Sequence, residues 1–107
     1  MTTACPVTAG PAYGSQLPAA GRAVAERLRD RVGHEPDAHA VYAYEAASLV
    51  LDAHARAGDD RTALLAELRA TRDRESVVGR YSIDEHGATT LPTAGRLRVE
   101  DGRFVPA

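Results

Sequence analysis

The chain has 107 residues, which fits one small domain and is too short for a two-lobed enzyme of ordinary size. Its 13 basic and 15 acidic residues give a net charge of −2, so the chain has no strong positive field to attract nucleic acid or anionic lipid. We therefore expect no nucleic-acid partner.

The large apolar residues are few for a chain of this length. Leu, Ile, Val and Phe together make 20 of the 107 residues, close to the lower limit for folded chains. Disordered chains of this composition also carry a high net charge, which is missing here. We therefore expect a folded domain whose marginal core needs a partner surface.

The first residues are predicted to lack regular structure. Residues 1–16 are rich in Thr, Ala, Pro and Gly, so we predict an irregular leader there and a domain over 17–107. Cys5 is the only cysteine, which excludes an internal disulfide and a CxxC pair, and we assign it no nucleophilic role. The sequence shows no export signal and no apolar run of about 18 residues, so we expect the chain as written to be neither exported nor embedded.

The first predicted helix spans about 16–32. Ser15 is a candidate N-cap, Pro18 is tolerable in the first turn, and Gly33 can end the helix in a left-handed conformation. Apolar residues recur at three- and four-residue spacing, which predicts one buried stripe. The stripe is Leu17, Ala20, Val24, Leu28 and Val32.

The second predicted helix spans about 38–57, with Asp37 as its N-cap. Apolar residues surround most of its circumference, and a helix of this kind is covered on most sides. The narrow polar stripe is interpreted as the side that faces water. It consists of Glu45, Ser48, Asp52 and Arg56.

The third predicted helix spans about 61–72. Gly58 ends the second helix, and either Asp59 or Asp60 can cap the third. Three leucines are expected to face inward from this helix. They are Leu64, Leu65 and Leu68.

The last third of the chain has a strand pattern. The segment Asp84–Gly87 is predicted to be a β-turn, and Asp101-Gly102 is a strong hairpin signal. The fold class is therefore α/β, with three helices followed by short strands and hairpins. The predicted strands lie at about 77–83, 88–91, 96–100 and 103–105.

No histidine stands out as a metal ligand or catalyst. His34 and His39 are separated by a proline and a helix start, unlike the HExxH spacing that brings two imidazoles onto one helical face. His54 is near a helix C-terminus, where it is expected to satisfy carbonyl groups. The segment containing His86 lacks the alternating oxygen ligands of a calcium loop. We expect no metal and no cofactor.

Two tyrosines and one glutamate on the second helix are the remaining candidates. Tyr42 and Tyr44 could line a ligand cleft, but core packing is the preferred interpretation, and they lie about 200° apart around a helix. Glu45 belongs to the polar stripe and is assigned to the wet side. We find no acid/base pair and predict no catalytic residue.

Four local strings follow one another along the chain and together resemble one protein family. In order and spacing they resemble the C-terminal region of type 1 periplasmic solute-binding proteins of the branched-chain amino acid ABC transporter group, from about Leu17 onward. The strings are Val32-Gly33-His34-Glu35-Pro36-Asp37, Tyr42-Ala43-Tyr44-Glu45-Ala46, Ala57-Gly58-Asp59-Asp60-Arg61 and Gly79-Arg80-Tyr81-Ser82-Ile83-Asp84-Glu85-His86-Gly87.

The resemblance implies a C-terminal fragment of a type 1 periplasmic-binding-protein fold. Members of the family are two-lobed receptors that work outside the cytoplasm, close on an amino acid or related small solute, and present it to an ABC permease. Their ligand-binding residues lie mostly in segments that have no counterpart here, so the resemblance assigns none to this chain. It also implies a protein without catalytic activity.

Three functions remain open at this stage. The leading interpretation is a fragment of an ABC transporter substrate-binding protein that binds its solute weakly when alone. The alternative is a ligand-sensing module of a regulatory or signalling protein with the same receptor fold, and a small enzyme has the least support. We also expect the isolated chain to form a homo-oligomer through helices 16–32 and 38–57.

Overall fold

A computed structural model describes residues 7–10, 16–92 and 95–106. It has the predicted α/β class, with three helices that precede most of the short strands. None of the helices in these ranges has the length and apolar character needed to cross a bilayer. The elements in chain order are β1 (Val7–Gly10), α1 (Ala19–Val32), α2 (Ala38–Ala57), α3 (Arg61–Arg69), β2 (Arg74–Ser76), β3 (Gly79–Tyr81), β4 (Gly95–Glu100) and β5 (Arg103–Pro106).

The helix α2 has the predicted bounds because both of its ends are capped locally. The Asp37 side chain accepts a hydrogen bond from the His39 backbone N–H at 2.7 Å, as expected for an N-cap. At the other end, the Gly58 N–H donates to the His54 carbonyl at 2.8 Å.

The helix α1 begins later than predicted. It starts at Ala19 and not at 16, and Pro18 occupies the N-cap position with an extended ψ of 162°. The Pro18 carbonyl accepts the Arg22 N–H at 3.0 Å. Gly33 ends the helix with a φ of 79°, the predicted left-handed conformation. The candidate cap Ser15 lies outside the described residues.

The helix α3 ends earlier than predicted, at Arg69 and not at 72. The Thr71 hydroxyl donates to the Leu68 carbonyl at 2.7 Å and so satisfies a terminal acceptor, and Asp73 then leaves the helix with a φ of 48°. Of the two candidate caps, Asp60 is the one that accepts from the backbone, with Thr62 N at 2.9 Å.

The prediction of an irregular leader over 1–16 is wrong at Val7–Gly10. These residues form β1, which pairs antiparallel with β4 in a sheet of order β1-β4-β5. In this register Val7 lies opposite Arg98 and Gly10 lies opposite Gly95. A strand formed with a partner so distant in the sequence leaves little local signal.

The single strand predicted at 77–83 is also wrong. A turn at Val77 and Val78 separates β2 from β3, which pair antiparallel with each other. Ser76 makes this turn possible, because its hydroxyl donates to the Gly79 carbonyl at 2.6 Å and accepts from the Val78 N–H at 3.2 Å.

The predicted return strand at 88–91 is reduced to one isolated bridge between Ile83 and Thr89. The β-turn before it is confirmed. Asp84 stabilises this turn, since its Oδ1 accepts from the backbone N–H groups of His86 and Ala88 at 2.8 and 3.0 Å.

The predicted hairpin at the end of the chain is confirmed as β4 and β5. Asp101 and Gly102 form its turn with φ values of 51° and 75°. Positive φ at both central residues is the requirement of a type I′ turn, for which Asp-Gly is a favoured pair.

The core lies between α1, α2 and the hairpin of β2 and β3. Its buried side chains are those of Leu17, Val41, Val78 and Tyr81. Gly21 permits the close approach of α1, because a Cβ atom there would lie 2.1 Å from the Val77 carbonyl oxygen. The predicted stripe of α1 is buried only in part, since Val32 is 51% exposed.

The expectation that α2 is covered on most sides is wrong for the described part of the chain. The face of α2 opposite the core includes Tyr44, Val50 and Leu51, and Leu51 is 68% exposed. Leu65 of α3, predicted to face inward, is also exposed. The described elements contain no layer that could pack against this side of α2.

Candidate functional site

A buried ion pair joins α2 to the hairpin of β2 and β3. Arg74 of β2 donates from Nε to Glu45 Oε2 of α2 at 2.7 Å, and its second contact with Glu45 is 3.4 Å long. The same guanidinium donates from Nη1 to Asp52 Oδ2 at 2.8 Å. The Glu45 side chain is only 6% exposed, whereas that of Asp52 is 55% exposed. One arginine therefore bridges an inner and an outer carboxylate.

Tyr81 of β3 completes this cluster. Its hydroxyl donates to Glu45 Oε2 at 2.6 Å. The pKa of Tyr81 is raised to about 12, chiefly by burial of the hydroxyl and to a smaller extent by its hydrogen bond to the Glu45 carboxylate. The hydrogen bond with Glu45 raises the pKa of Arg74 above its usual value against the opposing effect of burial. Both groups therefore keep their protons at neutral pH.

The prediction that Glu45 lies on the solvent-exposed face of α2 is wrong. Its carboxylate is buried because Arg74 supplies a counter-charge and Tyr81 supplies a further donor. Asp52, from the same predicted stripe, does lie at the surface. Since the carboxylate is engaged by two donors, the cluster anchors the hairpin to α2 and does not present a free acid or base.

A cleft of about 370 Å³ lies beside the ion cluster, between α2 and the segment that follows β3. Its walls are mainly apolar, and its lining residues with polar side chains are His39, Tyr42, Glu45, Tyr81 and Thr89. Such a cleft can accommodate an apolar group, and it is open to solvent on one side. The lining residues are His39, Tyr42, Glu45, Ala46, Leu49, Val78, Tyr81, Thr89, Leu91 and Pro92.

The two tyrosines of α2 have different environments. Tyr42 packs against the core and also lines the cleft. The core-packing interpretation and the cleft-lining interpretation each describe part of its surroundings. Tyr44 is 42% exposed, and the core-packing prediction is wrong for it. Their separation around the helix places them on different faces, as the spacing predicts.

The histidines are engaged in local contacts. His34 Nδ1 lies 3.1 Å from the Glu35 carbonyl, and His39 lies 3.6 Å from Asp37. Among residues 7–10, 16–92 and 95–106, no group of three or more His, Cys, Asp and Glu side chains is placed to hold a metal ion. Cys5 lies outside these ranges.

His54 and His86 lie on the surface. The His54 ring contacts Asp59 at 2.9 Å and not the terminal carbonyls of α2, which corrects the role predicted for it. His86 lies 3.5 Å from Glu85 within the exposed β-turn.

Sequence reasoning missed Arg74 and Tyr81 as partners of Glu45. They lie 29 and 36 positions away from it, so no local spacing connects them. The available signal was Glu45 itself. It is an acidic residue between Tyr44 and Ala46 in a largely apolar helix, and a carboxylate buried in such surroundings requires a counter-charge.

A scan against protein-family models matches residues 3–101 of the chain to the family described as periplasmic binding protein. The match covers nearly all of the chain, including every helix and most of the strands described above. No curated protein sequence gives a significant match.

Solved structures give a second comparison. The chain resembles an ABC transporter substrate-binding protein from Desulfitobacterium hafniense in complex with Leu, with a TM-score of 0.83 and 22% identity. It also resembles a leucine-binding protein from Thermotoga maritima, with a TM-score of 0.76 and 27% identity. A third similar structure is assigned to a branched-chain amino acid ABC transporter of Rhodospirillum rubrum, with a TM-score of 0.66 and 28% identity.

These likenesses extend over almost the whole of this chain but only a part of the others. Each alignment covers 94% of this chain, compared with 30%, 29% and 29% of the three solved chains. The chain therefore spans about 30% of the length of the proteins whose fold it shares.

Proposed function

The chain belongs to the periplasmic binding protein family, and from this we propose that it is one part of a receptor that captures an amino acid or a related small solute without catalysis. The observation that carries the proposal is the alignment of 94% of the chain with 30% of a substrate-binding protein described in complex with Leu. The leucine-binding protein of Thermotoga maritima, at 27% identity, supports the same class of ligand.

The structure of the described residues is compatible with a binding role that needs no chemistry. Glu45 and Arg74 neutralise each other, and Tyr81 keeps its proton well above neutral pH. These groups are therefore suited to fixing the hairpin against α2.

We infer that the chain alone holds such a solute weakly. Small-molecule sites bury most of the ligand surface between opposing walls. The cleft beside Glu45 has one side open to solvent, and the aligned proteins are about three times as long as this chain. A ligand held by one wall loses the enclosure that the rest of the receptor provides.

The site of action and the partners are proposals of the same kind. The family supports a parent receptor that works outside the cytoplasm. The similarity to ABC transporter proteins supports delivery of its solute to an ABC permease. Self-association of the isolated chain through α1 and α2 is supported by the exposed apolar side chains of Val32, Val50 and Leu51.

A hybrid receptor tests the proposed function. In this hybrid, the chain replaces the segment of the Thermotoga maritima leucine-binding protein that aligns with it. Binding of leucine and of a panel of other amino acids is measured by isothermal titration calorimetry. We expect the hybrid to bind leucine or another amino acid of the panel. A hybrid that melts cooperatively but binds no amino acid contradicts the proposal.

The 107-residue chain is titrated in parallel with the same amino acids. We expect no saturable binding in the micromolar range, because the chain supplies only one wall. Tight binding by the chain alone would refute the inference that it is an incomplete binding unit, whatever the hybrid does.

A further inference from the structure

A pocket of about 330 Å³, distinct from the cleft beside Glu45, lies at the junction of α2, α3 and β2. Its lining is mainly polar, whereas the lining of the cleft is mainly apolar. Its charged residues are Arg56 of α2, Glu67 of α3, Arg72 of the segment after α3, and Arg74 of β2. Because like charges repel, three arginines that converge on one pocket need anionic partners.

The carboxylates of the chain are distributed unevenly among these arginines. Arg74 binds both Glu45 and Asp52, neither of which lines the pocket. Arg56 has one carboxylate, because its Nε donates to Glu67 Oε2 at 2.9 Å. These two side chains are 53% and 38% exposed, and ion pairs with such access to water are weak. A competing anion can therefore displace Glu67 from Arg56.

Among residues 7–10, 16–92 and 95–106, Arg72 has no carboxylate partner. Its Nη1 donates to the carbonyl oxygens of Arg69, Thr71 and Ile83, at 3.0, 2.7 and 2.8 Å. These bonds hold the guanidinium at the end of α3, where its charge offsets the negative end of the helix dipole. No group of the described ranges accepts a hydrogen bond from its Nε or Nη2, so these donors remain for a ligand.

We propose that this pocket binds a small oxyanion of the phosphate class between the guanidinium groups of Arg56 and Arg72. An arginine presents its N–H donors in a planar fork that matches the oxygens of such an anion. Arg56 donates to the protein through Nε, which leaves both of its terminal nitrogens for the ligand. The bound anion supplies the counter-charge that Arg72 lacks, and it links α2 to the segment between α3 and β2. This site is additional to the proposed capture of an amino acid.

Titration of the chain with inorganic phosphate at neutral pH, followed by heteronuclear NMR, tests the site. Sodium chloride keeps the ionic strength constant, because salt screens exposed charges. We expect saturable shifts, with a dissociation constant on the order of 1 mM, at the side-chain N–H groups of Arg56 and Arg72 and at the Thr71 amide. Acetate is expected to bind about threefold more weakly or less, because it carries one charge and only two oxygens.

Two substitutions with opposite expected effects sharpen the test. Arg72→Gln removes a guanidinium that holds the anion and is expected to weaken phosphate binding about tenfold. Glu67→Gln removes the carboxylate that competes for Arg56 and is expected to strengthen phosphate binding about threefold. The matched controls make the same changes in net charge at exposed positions outside the pocket lining, and both should leave the affinity unchanged. They are Arg61→Gln at the start of α3 and Glu85→Gln in the β-turn.

Equal losses of affinity in Arg72→Gln and Arg61→Gln would overturn the proposal, since they indicate diffuse attraction to surface charge. Shifts spread over the arginines of α1, equal binding of acetate, or no gain of affinity in Glu67→Gln would also overturn it. Circular dichroism verifies the helix content of each variant, and Glu67→Gln decides the question if Arg72→Gln does not fold, because it keeps every arginine. Amino-acid binding by the hybrid receptor is a separate measurement, so the two proposals can fail independently.

Discussion

The Tyr81 hydroxyl donates to the Glu45 carboxylate at 2.6 Å across 36 positions of sequence, and this contact fixes β3 against α2. Tyr81 is also one of the four buried side chains of the core cluster, so the same residue contributes apolar packing and a polar contact. The hairpin therefore takes its position from one buried carboxylate, which Arg74 neutralises from the neighbouring strand.

Removal of the Tyr81 hydroxyl is expected to destabilise the fold. In Tyr81→Phe the ring still fills the core, but Glu45 loses a donor, and hydrogen bonds to charged groups contribute about 1.5 to 3 kcal/mol. Urea unfolding measures the loss. Tyr44→Phe is the matched control, because Tyr44 is 42% exposed, and it should change the free energy of unfolding little. Equal effects of the two variants would contradict a special role for Tyr81.

The two carboxylates that bind Arg74 are expected to differ in their contribution to stability. Glu45→Gln leaves a buried guanidinium without its main counter-charge, and breaking a buried pair in this way costs about 3 to 5 kcal/mol. Asp52→Asn removes a carboxylate that is 55% exposed, for which about 0 to 1 kcal/mol is expected. Urea or thermal unfolding of both variants checks the order, and a larger effect from Asp52→Asn would disprove it.

The free energy of unfolding is expected to fall in alkaline solution between about pH 10 and pH 12. Folding raises the pKa of Tyr81 from 10.0 to about 12, so the folded state retains a proton that the unfolded chain loses in this window. The contribution is complete below pH 10 and is lost as the pH rises through the folded pKa. Unfolding curves measured across this range should show the decline in the native chain.

Tyr81→Phe provides the control for this pH dependence, since it removes the titrating group. The variant should lose the part of the decline that belongs to Tyr81. The tyrosinate absorbance of the folded protein should also rise less in the variant near pH 12 than in the native chain. An identical pH profile for both proteins would show that Tyr81 is not the group responsible.

Gly21→Ala is expected to destabilise α1 packing, although alanine is the better helix former. In an unconstrained helix this change stabilises by about 1 kcal/mol. Here the new Cβ would lie 2.1 Å from the Val77 carbonyl oxygen, so α1 or the hairpin must shift, and overpacking of this kind costs about 1 to 3 kcal/mol. Thermal unfolding decides between the two effects, and a higher melting temperature would rule out the close approach.

The features that could be predicted from sequence depend on neighbouring residues. Asp37 and Gly33 mark helix boundaries through hydrogen bonds and φ angles within a few positions, and Asp101-Gly102 specifies its own hairpin turn. The choice between Asp59 and Asp60 as the cap of α3 needed the structure. Both have the required side chain, and only the geometry of the turn decides which one reaches the Thr62 N–H.

The features that could not be predicted depend on distant partners. The strand β1 exists because β4 lies beside it, and Glu45 is buried because Arg74 and Tyr81 surround it. The turn at Val77 and Val78 uses two β-branched residues that favour strands, and the Ser76 hydroxyl overrides that preference. Periodicity alone therefore placed one long strand where a hairpin occurs.

The pairing of Gly10 with Gly95 has a consequence for the architecture of the molecule. The chain leaves the sheet of β1, β4 and β5 after Gly10 and returns to it at Gly95, and these two residues are paired. The three helices and the hairpin of β2 and β3 therefore form one insertion between two adjacent positions of the sheet. A unit with coincident entry and exit can be exchanged as a cassette. A change in the length or packing of the helical region therefore need not disturb the register between β1 and β4.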